Sequence, residues 1–342
     1  MTYSDIALIT DAWYPQTNGV VRTLDTVRRK LEAAGRQVTV ISPDQFFTIP
    51  CPTYPEIRLS LGARRKLAAM IDRLAPNHIH IATEGPLGLA ARHYCVKRGL
   101  RFTTSFHTKF PEYVQKRTGV PARLTYRWLR HFHAPAEAVL VATPSMLEDL
   151  QAHGFQNGKL WTRGVDTEQF HPGNPEVLEG PAPHWVCVGR VAVEKNLPAF
   201  LALDLPGTKY VVGDGPALEK LKKQFPDAHF PGMKKGEALR KYFAAADVFV
   251  FPSRTDTFGL VMLEALACGA PVAAYPVTGP KDVITDPRIG RLDEDLAVAC
   301  RAALACQRAD CIDFARQHSW ERCADIFAQT LTPSGIVQRN AA

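Results

Sequence analysis

The side chains that promise chemistry lie mostly at the ends of apolar runs. Asp256 and Glu264 stand eight residues apart in FPSRTDTFGLVMLEALACGAP, Phe251 to Pro271. A carboxylate inside so apolar a run is costly unless it has a partner, which singles out Glu264. The plainer alternative is a helix with an acidic amino-terminal cap and a solvated glutamate. Arg190 and Lys195 come together in VGRVAVEKNL, where two cations across one turn can bind a diphosphate and neutralise it as it leaves. The alternative there is ordinary surface charge. His107 follows the apolar run Arg101–Ser105, at a strand end of the kind where α/β enzymes keep their chemistry. Gly19 opens a helix whose amino end favours negative charge and lets a phosphate come close.

The elements that must hold these groups read as alternating strands and helices. Ala246–Ser253 has the length and branching of a buried parallel strand, Phe258–Cys268 is apolar at helical intervals, and Val272–Tyr275 is apolar again. Thr257 is expected to cap the helix, leaving the N–H groups of Thr257, Phe258 and Gly259 facing a crevice at the strand's carboxyl end. The same alternation begins with Asp5–Thr10, a loop ending in Asn18-Gly19 and a helix to Gly35. A dinucleotide fingerprint needs three spaced glycines in that loop, and only Gly19 is there. Residues 43–60 are rich in Pro and Thr and read as a surface loop. Four prolines between 172 and 183 mark a linker, after which the α/β pattern restarts at His184.

At 342 residues the chain suffices for two domains with cores of their own. Residues 1–170 carry 22 Lys and Arg against 14 Asp and Glu, whereas the remainder carries 19 against 20. The first half therefore suits an anionic surface or acceptor. Its helix from Pro121 sets Arg123, Arg127 and Arg130 along one face and Leu124, Trp128 and Phe132 along another, and Arg64, Arg65 and Lys66 open a second helix. Basic and aromatic residues together suit an anionic membrane surface; the alternative is a core-packing helix with solvated arginines. The eight cysteines form no C-x-x-C pair and match no zinc spacing. They read as buried thiols of a reduced, cytoplasmic protein. Asp5 and Asp11 interrupt the first apolar run, so no signal peptide or membrane span is expected. No metal site is expected, since Asp293-Glu294-Asp295 reads as a helix cap.

These strings resemble the retaining glycosyltransferases of family 4 (glycosyl transferases group 1), including its bacterial lipid glycosyltransferase and mannosyltransferase branch. The matching strings are TDAWYPQTNGVVRTL, FHTKFPEYV, GVDTEQFHP, the Gly189-Arg190…Glu194-Lys195-Asn196 motif, Gly213-Asp-Gly-Pro, and the Glu-x7-Glu signature with Asp256 in the first place. The resemblance implies an α/β GT-B fold, two Rossmann-like domains facing across a cleft. An acceptor-side domain is expected over 1–165, a linker over 166–183, a donor-side domain over 184–315, and a helix crossing back over 316–342.

It further implies transfer of a hexose from a UDP- or GDP-sugar, without cofactor or metal. His107 and Asp256 would flank the sugar, and Arg190 and Lys195 would stabilise the departing diphosphate. Glu264 would hold the ribose. Gly19, Val20, Gly213, Met233, Phe258, Gly259 and Leu260 would complete the donor site. The expected acceptor is a diacylglycerol-like lipid, with Arg64, Arg65, Lys66, Arg123, Arg127, Trp128 and Arg130 on an anionic membrane at its cytoplasmic face. No nucleic-acid partner is expected. A soluble or polysaccharide acceptor is the alternative. From other classes come a sugar-nucleotide epimerase, which needs no acceptor, and a non-catalytic nucleotide-binding module.

Overall fold

The computed structural model describes residues 5–336 apart from 17, 52, 53, 108–110, 112–114, 116–118 and 177. Most of the string FHTKFPEYV beyond His107 therefore lies outside the described residues. The chain divides into two compact units, residues 1–162 with 320–342, and residues 163–319.

In unit 1, β1 (Ile6–Ile9), β2 (Val38–Ile41), β5 (His78–Ile81), β6 (Thr103–Phe106), β7 (Ala138–Val141) and β8 (Gly158–Leu160) form one parallel sheet in the order β2-β1-β5-β6-β7-β8. IALI and AVLV are buried along their whole length, as strands covered on both faces must be. Ile9, Ile41, Leu67, Ile71, Ile79, Leu87 and Phe132 share one core, each fully buried side chain contributing roughly 1.5–3 kcal/mol.

Residues 43–60 are not simply a loop. They build β3 (Thr48–Cys51) and β4 (Tyr54–Ser60), an antiparallel hairpin pairing Ile49 with Leu59. Pro50 is accommodated because the hairpin is only two strands wide and has edges everywhere.

The last helix, Trp320–Thr330, packs in unit 1 against the helix Gly19–Ala33. The Trp161 indole donates to the Cys323 carbonyl at 3.0 Å, and Lys30 pairs with Glu321 at 2.5 Å.

Unit 2 contains β9 (His184–Val188), β10 (Thr208–Val212), β11 (His229–Gly232), β12 (Val248–Phe251), β13 (Val272–Ala274) and β14 (Gly290–Leu292), all parallel in the order β11-β10-β9-β12-β13-β14. Trp185, Phe200, Val211 and Val248 sit in its core.

The segment expected as a linker is laid onto this unit. The buried Arg240 donates to the carbonyls of His171, Pro172 and Asn174 at 2.8–3.1 Å, and the Tyr210 hydroxyl to that of Glu179 at 2.7 Å. Prolines deprive the segment of partners of its own, and these side chains satisfy its carbonyls instead. None of the eight cysteines is in a disulfide. Burial pushes the thiols of Cys95, Cys187, Cys268, Cys300 and Cys311 up to about 12, so they act as small apolar side chains.

Candidate active site

In unit 2 the strand order reverses between β9 and β12, the place where α/β sheets bind ligands beyond their strands' carboxyl ends. The β9 loop carries Arg190 and Lys195; the β12 loop carries Asp256. The Lys195 ammonium donates to both Asp256 oxygens, at 2.7 and 2.8 Å. Both side chains remain about a quarter exposed, at 27 and 24%. Two further ties hold the loops together. Asn196, in the left-handed region at φ 53°, donates its amide to the Pro252 carbonyl at 3.1 Å, and the Ser253 hydroxyl reaches the Glu194 carbonyl at 3.4 Å. Arg190, on the same loop as Lys195, is exposed.

The helix after Asp256 spans Leu260–Ala267 and starts later than its apolar spacing predicts. Its N-cap is Gly259 at φ 80°, not Thr257. A Cβ at Gly259 would lie 2.9 Å from both Phe251 Cζ and Met262 Cε, so left-handed backbone and tight packing both demand glycine. The amides of Thr257 to Gly259 therefore precede the helix, which begins at Leu260. Glu264 sits just over one turn in, and is 2% exposed. Phe258 is buried, and the turn at Gly279 packs so closely that a Cβ there would meet the Asp256 carbonyl at 2.8 Å.

Gly213 follows β10 at φ 156°, where a Cβ would sit 1.9 Å from the Gly189 carbonyl oxygen. Close packing of the two strand ends thus accounts for this glycine. Met233 follows β11 and is 60% exposed. Asp295 caps the helix Leu296–Ala303 by accepting from Ala297 and Val298 amides, while Glu294 pairs with Arg254 at 3.1 Å. The Asp-Glu-Asp run is thus a cap, and among the described residues no three His, Cys, Asp or Glu side chains converge as metal ligands.

In unit 1, Asn18 caps the helix Gly19–Ala33, its carbonyl accepting from the Val20 and Val21 amides at 3.0 Å each. The Val20 amide is therefore already engaged, whereas Gly19 is exposed with nothing near its α-carbon face. His107 follows β6 and meets Trp161 edge-on, ring centres 6.0 Å apart.

The helix Ala122–His133 exposes Arg123, Leu124, Arg127, Trp128 and Arg130 together and buries Tyr126, Leu129 and Phe132. Phe132 thus departs from the face assigned to it by spacing: it lies nearer the buried residues than Leu124 does. Arg64 and Arg65 are exposed. The Lys66 ammonium is turned onto its own unit, bonding the Gln45 carbonyl and lying 5.3 Å over the Phe46 ring. Among the described residues no helix is long and apolar enough to cross a membrane.

Spacing alone does not reveal two other features. Glu84 bonds to the buried His133, a pair 49 residues apart whose only local signal is a carboxylate just past a strand. Phe47, beside the hairpin, is 74% exposed.

Two parallel-sheet units of this kind are the architecture of GT-B glycosyltransferases, and the chain is similar in fold to solved examples. Sucrose-phosphate synthase from Thermosynechococcus elongatus matches with a TM-score of 0.73 at 21% identity, covering 95% of this chain and 98% of that one. Residues 17–169 match the model of Glycosyltransferase Family 4, and residues 182–307 that of Glycosyl transferases group 1.

The chain is 30% identical over 314 residues to a GDP-mannose-dependent alpha-mannosyltransferase of Mycobacterium tuberculosis (strain CDC 1551 / Oshkosh), covering 84% of this chain and 83% of the relative. It is 25% identical over 345 residues to the alpha-monoglucosyldiacylglycerol synthase of Streptococcus pneumoniae (strain ATCC BAA-255 / R6), covering 87 and 78%. The chain belongs to glycosyltransferase family 4, and is an enzyme that transfers a sugar from a nucleotide-sugar donor.

Proposed function

We propose that this enzyme transfers a hexose from a nucleoside-diphosphate sugar to a hydroxyl of a diacylglycerol-like lipid, with retention at the anomeric carbon and without a metal. It would work as a peripheral protein on the cytoplasmic face of a membrane. On the donor side, Lys195 and Arg190 supply the positive charge that a departing diphosphate requires. Lys195 also grips Asp256 by both oxygens, which fixes a carboxylate one methylene shorter than glutamate where it can meet a sugar hydroxyl. Glu264, second in the eight-residue spacing, holds the ribose. Gly19 takes the diphosphate side, with Val20 beside it contributing less because its amide is held by Asn18, and Gly213, Met233, Phe258, Gly259 and Leu260 take the rest of the donor. His107 lies against the sugar.

The observation that carries the lipid reading is the outer face of the helix Ala122–His133. Leu124 and Trp128 are 50 and 40% exposed beside the exposed Arg123, Arg127 and Arg130. Arginines of this kind each contribute about 1 kcal/mol near an anionic bilayer, and the apolar side chains add shallow insertion. Arg64 and Arg65 extend the positive surface, whereas Lys66 contributes less because it is tethered to Gln45. The Streptococcus pneumoniae relative is named for a glycosylated diacylglycerol, which supports the same acceptor class.

Sedimentation with phosphatidylglycerol vesicles at low salt, together with transfer to dioleoylglycerol, tests this. The wild type should pellet and glycosylate the lipid. Transfer only to soluble glycans, with no pelleting, refutes the lipid acceptor, and product formed without any acceptor points to an epimerase.

A further inference from the structure

Unit 1 has a reversal point of its own. β1 pairs with β2 on one side and β5 on the other, and the sheet continues from β5 to β6. The residues just beyond β1 and β5 therefore border a crevice of the kind in which α/β sheets bind ligands. Asp11 follows β1 and is committed to the fold. Its carboxylate accepts from the amides of Leu87 and Gly88 at 2.8 and 3.2 Å and from the Thr83 hydroxyl at 2.9 Å. The turn is pressed so tightly on it that a Cβ at Gly85 would lie 2.4 Å from Asp11 Cγ.

Glu84 sits in that pinned turn. Its side chain is 26% exposed, while its partner His133 is 0% exposed, with Nε2 3.2 Å from Oε1. Nε2 faces the carboxylate, and Nδ1 on the other side of the ring is hydrogen-bonded to the Thr104 hydroxyl at 2.8 Å. The carboxylate is thereby held from behind by a buried relay anchored on β6. The register adds a second fact. Ile81 pairs with Thr104, so Glu84 and His107 each lie three residues beyond that pair at the ends of adjacent strands.

We infer that Glu84 is an acceptor-recognition group, whose carboxylate accepts a hydrogen bond from a hydroxyl of the acceptor and orients it next to His107. It binds and orients, and is not asked to take the proton. This rests on the reading of unit 1 as the acceptor side, but not on the acceptor being a lipid.

The test compares Glu84→Gln and Glu84→Asp with wild type, using dioleoylglycerol in mixed micelles and, separately, maltose. Slow donor hydrolysis without acceptor and donor affinity by calorimetry are measured alongside. Gln can still hydrogen-bond to His133 but binds a hydroxyl without charge. Glu84→Gln should raise the acceptor KM about tenfold or more, with donor affinity and hydrolysis within about twofold of wild type and an intermediate value for Glu84→Asp. An unchanged acceptor KM overturns the inference, as does an equal fall in hydrolysis and transfer, which would mark a purely structural role. Wild-type transfer to maltose but not to dioleoylglycerol would reject the lipid reading alone, with the Glu84 comparison then decided on maltose.

Discussion

Unit 2 places two strands, β10 and β11, on one side of its reversal and two, β13 and β14, beyond β12 on the other. Unit 1 keeps only β2 on the corresponding side and folds its next extended segments, β3 and β4, into a separate hairpin. The reversal points differ in chemistry as well. That of unit 2 holds an ammonium–carboxylate pair between two loops, whereas that of unit 1 holds a carboxylate fixed by a buried imidazole. Outside the sheets, unit 1 exposes apolar and basic side chains together on the helix Ala122–His133. Two parallel sheets of different strand order thus carry different groups at their reversal points, and the side chains just past the strands, not the sheet, decide the chemistry. On the proposed reading, unit 2 handles a charged donor and unit 1 an acceptor at a surface.

The largest expected effect comes from removing the cation of unit 2. Lys195→Ala should lower kcat/KM by about 10²–10³-fold, roughly 3–4 kcal/mol, in steady-state transfer assays. A fall below about tenfold would mean that Lys195 serves only to place its loop. Next, Glu264→Ala should weaken donor binding by roughly 2 kcal/mol in calorimetry, whereas Asp256→Asn should lower kcat with smaller change in affinity. Equal donor affinity in wild type and Glu264→Ala would remove Glu264 from the donor site.

How far the residues could be read from spacing follows the same comparison. Buried strands such as IALI and VFVF stand out because both faces are apolar. The hairpin does not, because Pro50 and Pro55 among threonines look like a loop until the strands find each other. The helix over Leu260–Ala267 is legible in its apolar body but not in its start, which depends on Gly259 adopting φ 80° against Phe251. Lys195 and Asp256 were each legible as charged groups past strands. Their pairing across 61 residues was not, since it depends on two loops meeting. Glu84 and His133 escaped notice for the same reason, one on a turn and the other on the buried face of a helix.

Smaller effects belong to unit 1. The double change Leu124→Ser with Trp128→Ser should weaken vesicle binding about tenfold by sedimentation while donor affinity stays unchanged. Stability should also report on the buried His80. Its ring lies between the Thr103 and Ser105 hydroxyls at 2.8 Å each, and burial pulls its pKa down to about 3 from an ordinary 6.5. Between those values the unfolded chain binds a proton that the folded chain refuses, so stability falls as pH drops below 6.5. By pH ~5.5 the loss should be about 1.4 kcal/mol, read as a lower urea midpoint than at pH ~7.5. His80→Gln should flatten that slope. The smallest effect expected is that of excess EDTA, which on the proposed reading should leave turnover unchanged because Arg190 and Lys195 would supply the phosphate-side charge. A complete loss reversed by added Mg²⁺ would overturn that assignment.

The division of labour between the two units is tested most directly by two readouts on the same two proteins: donor affinity by calorimetry and partition onto phosphatidylglycerol vesicles. Lys195→Ala should lose donor affinity and keep wild-type vesicle binding, and Leu124→Ser/Trp128→Ser should do the reverse. If both variants lose both properties together, or if the helix variant loses donor affinity while still pelleting, the two tasks are not separated as proposed.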